Sequence, residues 1–341
     1  MKKTGTEGGT ALKQHILPVL CLVSIVMIPG CNSGEDTEDT QNNKENQNTE
    51  QKESASGNDA FPVEINDAAD GTVTMEEEPG RIISMIPSNT EIAFALGLEE
   101  EIVGVSDHAD YPKEAAEKEK IGGLQFNVEK IISLEPDLVL AHASSLQQAK
   151  EGLQQMEEEG IKVLVVNEAT SFEETYKSIH TIGRAAGANA EADEIVSSMK
   201  EDVKNLREQA SQISEEEKKT VWMEIQPPPD LYTTGSGTFQ HNMLQLIHAE
   251  NAAGGEEGWL PYTSEDAVKQ NPQVIITTYG QSMDGDPAAQ IKNRGGWSNV
   301  SAVESGDIYN VNSNLVSRPG PRLADGAEEL AELIYPDVFA E

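Results

Sequence analysis

Cysteine is nearly absent from this chain of 341 residues: only Cys21 and Cys31 occur. Cys21 lies inside an apolar N-terminal stretch and Cys31 at its end, so a mature chain that has lost this stretch has no possible internal disulfide. Basic residues are also scarce, 24 against 60 acidic ones, and the formal charge of −36 argues against nucleic acid as a partner, because phosphate binding needs a basic patch. Such acidity is simply a solvated surface, of the kind suited to high salt or high pH. The apolar run Ile16–Ile28 has thirteen residues, short of the roughly twenty that a membrane-spanning helix needs. GxSxG, HExxH, a nucleophilic Cys and a dinucleotide fingerprint are missing as well. With 60 acids, carboxylate pairs arise by chance, and nothing beside them would activate a nucleophile, so a secreted hydrolase is the weakest functional reading.

What is present begins with an address. Lys2, Lys3 and Lys13 precede the apolar run, which marks residues 1–30 as a signal peptide. The run closes in Ile28-Pro29-Gly30-Cys31, which resembles the lipobox of bacterial lipoproteins. Cys31 is therefore expected to be the lipidated first residue. At about 0.8 kcal/mol per buried CH₂, two acyl chains anchor stably where one does not. The following segment, NSGEDTEDTQNNKENQNTEQKESASGND, has no aromatic residue and no aliphatic one larger than Ala. It cannot bury a core, so residues 31–60 are expected to form a disordered acidic tether.

One pattern occurs twice. Residues 127–143 read NVEKIISLEPDLVLAHA and residues 263–279 read TSEDAVKQNPQVIITTY, each with a Glu, an apolar pair, a Pro seven residues after the Glu and a β-branched run. In each copy a short helix stops at proline and a buried strand follows, which is the grammar of βαβ units and parallel sheets. The spacing of the copies exceeds the roughly 20–50 residues of a solenoid unit, so it indicates two similar α/β lobes. Glu129 and Glu265 occupy equivalent places in them.

The rest of the chain fits this division. Phe61–Ala69 and Thr72–Glu76 suggest a hairpin around Asp70-Gly71, and Arg81–Ile86 reads as a buried strand. Ser88 with Glu91 three residues on suggests a capping box that opens a helix ending at Gly97. The pattern from Ala188 to Ile213 predicts one long helix, roughly 35–40 Å at about 1.5 Å per residue. The organisation expected is an N-terminal lobe over 61–187, a bridging helix over 188–213 and a C-terminal lobe over 214–341.

The strings RIISMIPSNTEIAFALG, VGVSDHADYP, NVEKIISLEPDLVLA, GGWSNVSAVESGDIYNV and RPGPRLADGAEELAELIYP resemble those of the substrate-binding lipoproteins of ABC importers for vitamin B12 and iron chelates. The resemblance covers about residues 80–338. It implies two α/β lobes bridged by one long rigid helix, a ligand cleft between them and little hinge closure. It also implies that Glu129 and Glu265 dock arginines of a membrane permease dimer, which works with a separate ATPase. A carboxylate on each lobe offers a bidentate target for a guanidinium, although the helix macrodipole also favours acids at these places.

The cleft is expected at the carboxyl ends of the strands, with candidates Pro87, Ser88, His108, Tyr111, Leu124, Gln125, His142, Tyr232, Trp259, Leu315 and Arg318. Trp259 matches a Trp of the B12-binding relatives, whereas His108, Gly123, His142 and Leu315 stand where some of them carry aromatics. The expected ligand is a metal chelate, a corrinoid such as cobalamin or a ferric siderophore, bound by a monomer that carries no cofactor of its own. The alternative is a direct metal-ion or haem receptor using His108 and His142, with Asp110 and Glu168 completing a possible ligand set.

Overall fold

The computed structural model describes residues 61–339. Residues 1–60, with the expected signal peptide, Cys31 and the expected tether, lie outside the described residues. The fold opens with an antiparallel hairpin of β1 (Val63–Asn66) and β2 (Thr72–Met75), turning at Asp70 with φ of 60°. The Asp67 carboxylate closes the turn by accepting from the Gly71 and Ala69 backbone N–H groups, at 2.8 and 3.0 Å.

Strand β3 (Ile82–Ser84) leads into α1 (Pro87–Ala95) and then β4 (Ile102–Val105). Next come α2 (Val128–Ser133), β5 (Leu138–His142), α3 (Leu146–Glu158) and β6 (Lys162–Val166). The four strands form a parallel sheet in the order β4-β3-β5-β6. Their nearly unbroken apolar composition follows from burial on both faces. Helix α4 (Phe172–Ala186) closes the lobe and ends at Gly187, whose φ of 75° is a left-handed conformation that glycine adopts freely.

The capping box expected at Ser88 does not form. Pro87 already occupies the first turn, where its fixed φ and missing N–H cost nothing, so the helix starts before Ser88 and Ile86 stands at the cap without a side-chain bond. Glu91 is then free to turn inward, and it pairs with an arginine far away in sequence.

Helix α5 (Asn189–Ala210) follows with 22 residues, about 33 Å at 1.5 Å per residue. It buries Ala192, Val196, Met199, Leu206 and Ala210 along one stripe. It stops short of the expected residue 213 because the chain turns at Ser211, whose hydroxyl donates to the Glu208 carbonyl at 2.6 Å, and Ile213 is tucked into the core.

The second lobe contains β7 (Thr220–Gln226), β8 (Tyr232–Thr234), α6 (Phe239–Leu246), β9 (Glu250–Asn251) and β10 (Trp259–Pro261). After these come α7 (Ser264–Gln270), β11 (Val274–Thr277), α8 (Pro287–Lys292), α9 (Ser301–Ser305) and β12 (Ile308–Asn310). Helices α10 (Ser313–Ser317), α11 (Leu323–Ile334) and α12 (Pro336–Phe339) complete the described chain. The sheet order is β10-β8-β7-β11-β12, with β9 beside the start of β7. Strands β7, β11 and β12 are parallel, and β8 and β10 add an antiparallel margin that the first lobe lacks.

Both copies of the repeat form the same unit. Helix α2, Pro136 and β5 correspond to helix α7, Pro272 and β11. One contiguous core joins the lobes, running from Ile82 and Leu138 through Ile179, Val196 and Met199 to Val221, Ile276 and Leu330. Separate apolar clusters fill the outer face of each sheet.

Candidate ligand cleft

The carboxyl ends of β3, β4 and β5 release the chain into three loops at one end of the first sheet. These loops and one face of α3 surround a cavity of about 700 Å³. Its walls include Met85, Pro87, Ser106, His108, Leu124, Gln125, Phe126, Ser144, Gln148, Leu153 and Met156. The floor is apolar, with Met85 and Met156 essentially inaccessible, and the rim carries hydroxyls, amides and the His108 imidazole. Leu124 projects from the rim with 89% of its surface exposed, an unusual placement for an apolar side chain. His108 lies against Gly123: a Cβ there would come within 2.9 Å of its Nε2.

A second cavity, about 290 Å³, adjoins at Pro87 and has walls from both lobes: Pro87 and Ser88 on one side, Ser313, Asn314, Ser317, Arg318 and Pro319 on the other. Charged groups hold the lobes together beside it. Glu91, 3% exposed, receives two parallel bonds from Arg322, Nε to Oε1 at 2.9 Å and Nη2 to Oε2 at 2.7 Å. Arg318 Nη1 donates to Asp110 at 2.9 Å and lies 3.7 Å from Glu91, while Asn314 donates to the other Asp110 oxygen at 3.0 Å. Partial burial works against the Asp110 charge, but the hydrogen bond and charge of Arg318 outweigh it and hold the carboxyl below its ordinary range.

Five of the expected cleft residues, Pro87, Ser88, His108, Leu124 and Gln125, line these cavities. Arg318 does too, but with its guanidinium already engaged by Asp110. The others are elsewhere. The ring of Tyr111 lies under the Arg322 guanidinium, 3.3 Å from centroid to Cζ. His142 is 6% exposed, and its Nδ1 accepts from the Ser144 backbone N–H at 3.2 Å. It is a satisfied core histidine, and burial pushes its pKa down despite the nearby Glu168. Tyr232 starts β8, Leu315 packs its backbone against Gly326, and Trp259 lies on the edge strand β10 with 53% of its surface exposed.

The set His108, Asp110, His142 and Glu168 is not gathered. Among the described residues no group of three or more His, Cys, Asp or Glu side chains is placed to hold a metal ion. Glu129 and Glu265 are both exposed in the first turns of α2 and α7, whose caps are the side chains of Asn127 and Thr263.

The α3 wall and the Glu91–Arg322 pair escaped sequence reasoning. A Glu directly before the apolar run IAFAL was the available signal for the pair, since a buried carboxylate there must find a partner. A second such acid, Glu224 in the strand TVWMEI, is met bidentate by Arg294 at 2.7 and 2.8 Å and by the Tyr279 hydroxyl at 2.6 Å.

Two α/β lobes on a shared core, with a long helix packed between them, a polar-rimmed cavity at the strand ends of the first lobe and a smaller one at the junction, define a solute receptor of the two-lobed kind. The chain belongs to the periplasmic binding protein family, which it matches over residues 82–315. It is 48% identical over 320 residues to the uncharacterized ABC transporter substrate-binding lipoprotein YvrC of Bacillus subtilis, covering 94% of this chain and 96% of that one. It is 27% identical over 283 residues to a cobalamin-binding protein of Halobacterium salinarum, covering 81% and 75% of the two chains. The crystal structure of a possible iron-binding periplasmic solute-binding protein of Staphylococcus epidermidis superimposes with a TM-score of 0.68 at 38% identity, covering 76% of this chain and all of that one.

Proposed function

We propose that this protein is the extracytoplasmic substrate-binding lipoprotein of an ABC importer, that it captures a metal chelate in the cleft between its lobes, and that it delivers the chelate to the permease. The single observation that carries the reading is the 700 Å³ cavity at the carboxyl ends of the first sheet, in a chain similar to a cobalamin-binding protein and to a possible iron-binding protein. An apolar floor with a few neutral hydrogen-bonding groups at the rim suits a large, compact ligand with an apolar body and a polar periphery. The chain supplies shape and hydrogen bonds, makes and breaks no bond, and leaves the energy of transport to a separate ATPase.

Two further assignments complete the reading. Glu129 and Glu265, one on each lobe at matching places of the repeat, dock arginines of the two permease subunits. Cys31, lipidated, holds the receptor at the outer membrane face, and residues 32–60 give it reach. The test is thermal denaturation of the purified protein with cyanocobalamin, haemin and a panel of ferric siderophores. A ligand present at 100 times its Kd adds about 2.7 kcal/mol, a shift of several degrees. At least one chelate is expected to raise the melting temperature, and a panel without effect would remove chelates as the ligand class.

A further inference from the structure

We infer that the cleft selects chelates of zero or positive net charge that bear amide or hydroxamate groups, and that an apolar part of such a ligand enters the first-lobe cavity down to Met85 and Met156. This inference rests on the reading of the cleft as the ligand site. Three observations support it. First, no Lys, Arg, Asp or Glu is among the described residues that line the larger cavity; beside the His108 imidazole its polar side chains are the amides and hydroxyls of Gln125, Gln148, Ser106, Ser144 and Ser145. Neutral amides and hydroxyls match amide and hydroxamate oxygens, and they leave a carboxylate or catecholate oxygen desolvated without a counter-charge.

Second, the guanidiniums near the junction are already committed. Arg318 binds Asp110, and Arg322 is held bidentate by the buried Glu91, so an anionic ligand would have to displace an internal carboxylate to recruit either. Arg294 in the second lobe is locked in the same way by Glu224. Third, the excess of acidic over basic residues, 60 against 24, gives the chain a negative long-range potential that disfavours the approach of anions and favours that of cations.

The experiment is a calorimetric panel on the full chain, matched by charge. It contains cyanocobalamin and the same corrinoid with one amide hydrolysed to a carboxylate, an uncharged ferric hydroxamate, a cationic ferric hydroxamate, haemin and a ferric tris-catecholate. The expected result is that the tightest binder is uncharged or cationic and that the anionic chelates are weaker by on the order of a hundredfold, the cost of an unpaired buried charge. Gln148→Arg, a change at an exposed rim position, is expected to narrow that gap by about tenfold. Haemin or the tris-catecholate binding as tightly as the best uncharged chelate would overturn the inference while leaving the receptor reading intact. Binding of none of the panel would overturn both, since the chelate reading itself would then be wrong.

Discussion

Replacing Arg322 by Met tests whether the pair that joins the lobes is a buried, mutually dependent one. Glu91 is 3% exposed and takes both of its strong bonds from Arg322, at 2.7 and 2.9 Å. Removing the guanidinium leaves a desolvated carboxylate whose nearest cation is Arg318, 3.7 Å away and already bonded to Asp110. Breaking a buried pair from one side costs about 3–5 kcal/mol, and the Arg318 charge recovers part of that, so a loss of about 3 kcal/mol is expected. For a domain of this size each kcal/mol lowers the melting temperature by about 2 °C, which gives a fall of about 6 °C. Replacing Glu91 by Leu together with Arg322 by Met removes both charges, and the double variant should return to within about 1 kcal/mol of the parent. Urea denaturation followed by circular dichroism supplies the numbers. If Arg322→Met alone costs less than about 0.5 kcal/mol, or if the double variant is the less stable of the two, the pair does not work as described.

The other predictions concern docking, acid sensitivity and the cleft rim. Changing Glu129 and Glu265 together to Ala should leave chelate affinity unchanged and abolish uptake by cells, because both side chains are exposed and neither lines the cavity; undiminished uptake would remove their docking role. Burial depresses the pKa of His142, so below the ordinary value of 6.5 the unfolded chain binds a proton that the folded one refuses, and stability falls as pH drops. His142→Asn should flatten part of that slope between about pH 6.5 and 5, measured as melting temperature against pH, while an unchanged slope would show that His142 does not titrate this way. Leu124→Ser should leave stability within about 0.5 kcal/mol, since the side chain is 89% exposed, yet weaken chelate binding about tenfold by losing apolar contact that forms only with ligand; calorimetry on both proteins decides it.

Local physics explains which parts of this molecule could be read from its sequence. The helix–proline–strand repeat announced two lobes of the same design, because a proline stands between helix and strand in both copies. The antiparallel margin of β8 and β10 was not legible, since strands of three residues carry too little alternation to be distinguished from loop. At the candidate site, loops that leave the strand ends pointed to Pro87, His108, Leu124 and Gln125, which line the cavity. The α3 wall was hidden because Leu153 and Met156 follow ordinary amphipathic spacing, and only the fold shows that a cavity lies over them. His142 was misplaced because position at a strand end does not say which way a side chain turns. Contacts such as Glu91–Arg322 join residues 231 positions apart, and nothing local encodes them beyond the oddity of an acid in an apolar helix.

The most direct measurement is calorimetric titration of the full-length protein with cyanocobalamin and with ferric hydroxamates, repeated on the Leu124→Ser variant. Saturable binding of one chelate per chain, weakened when Leu124 is lost, is the expected result. No heat with any chelate, or binding indifferent to Leu124, would contradict the claim that this cleft is where the protein takes up its cargo.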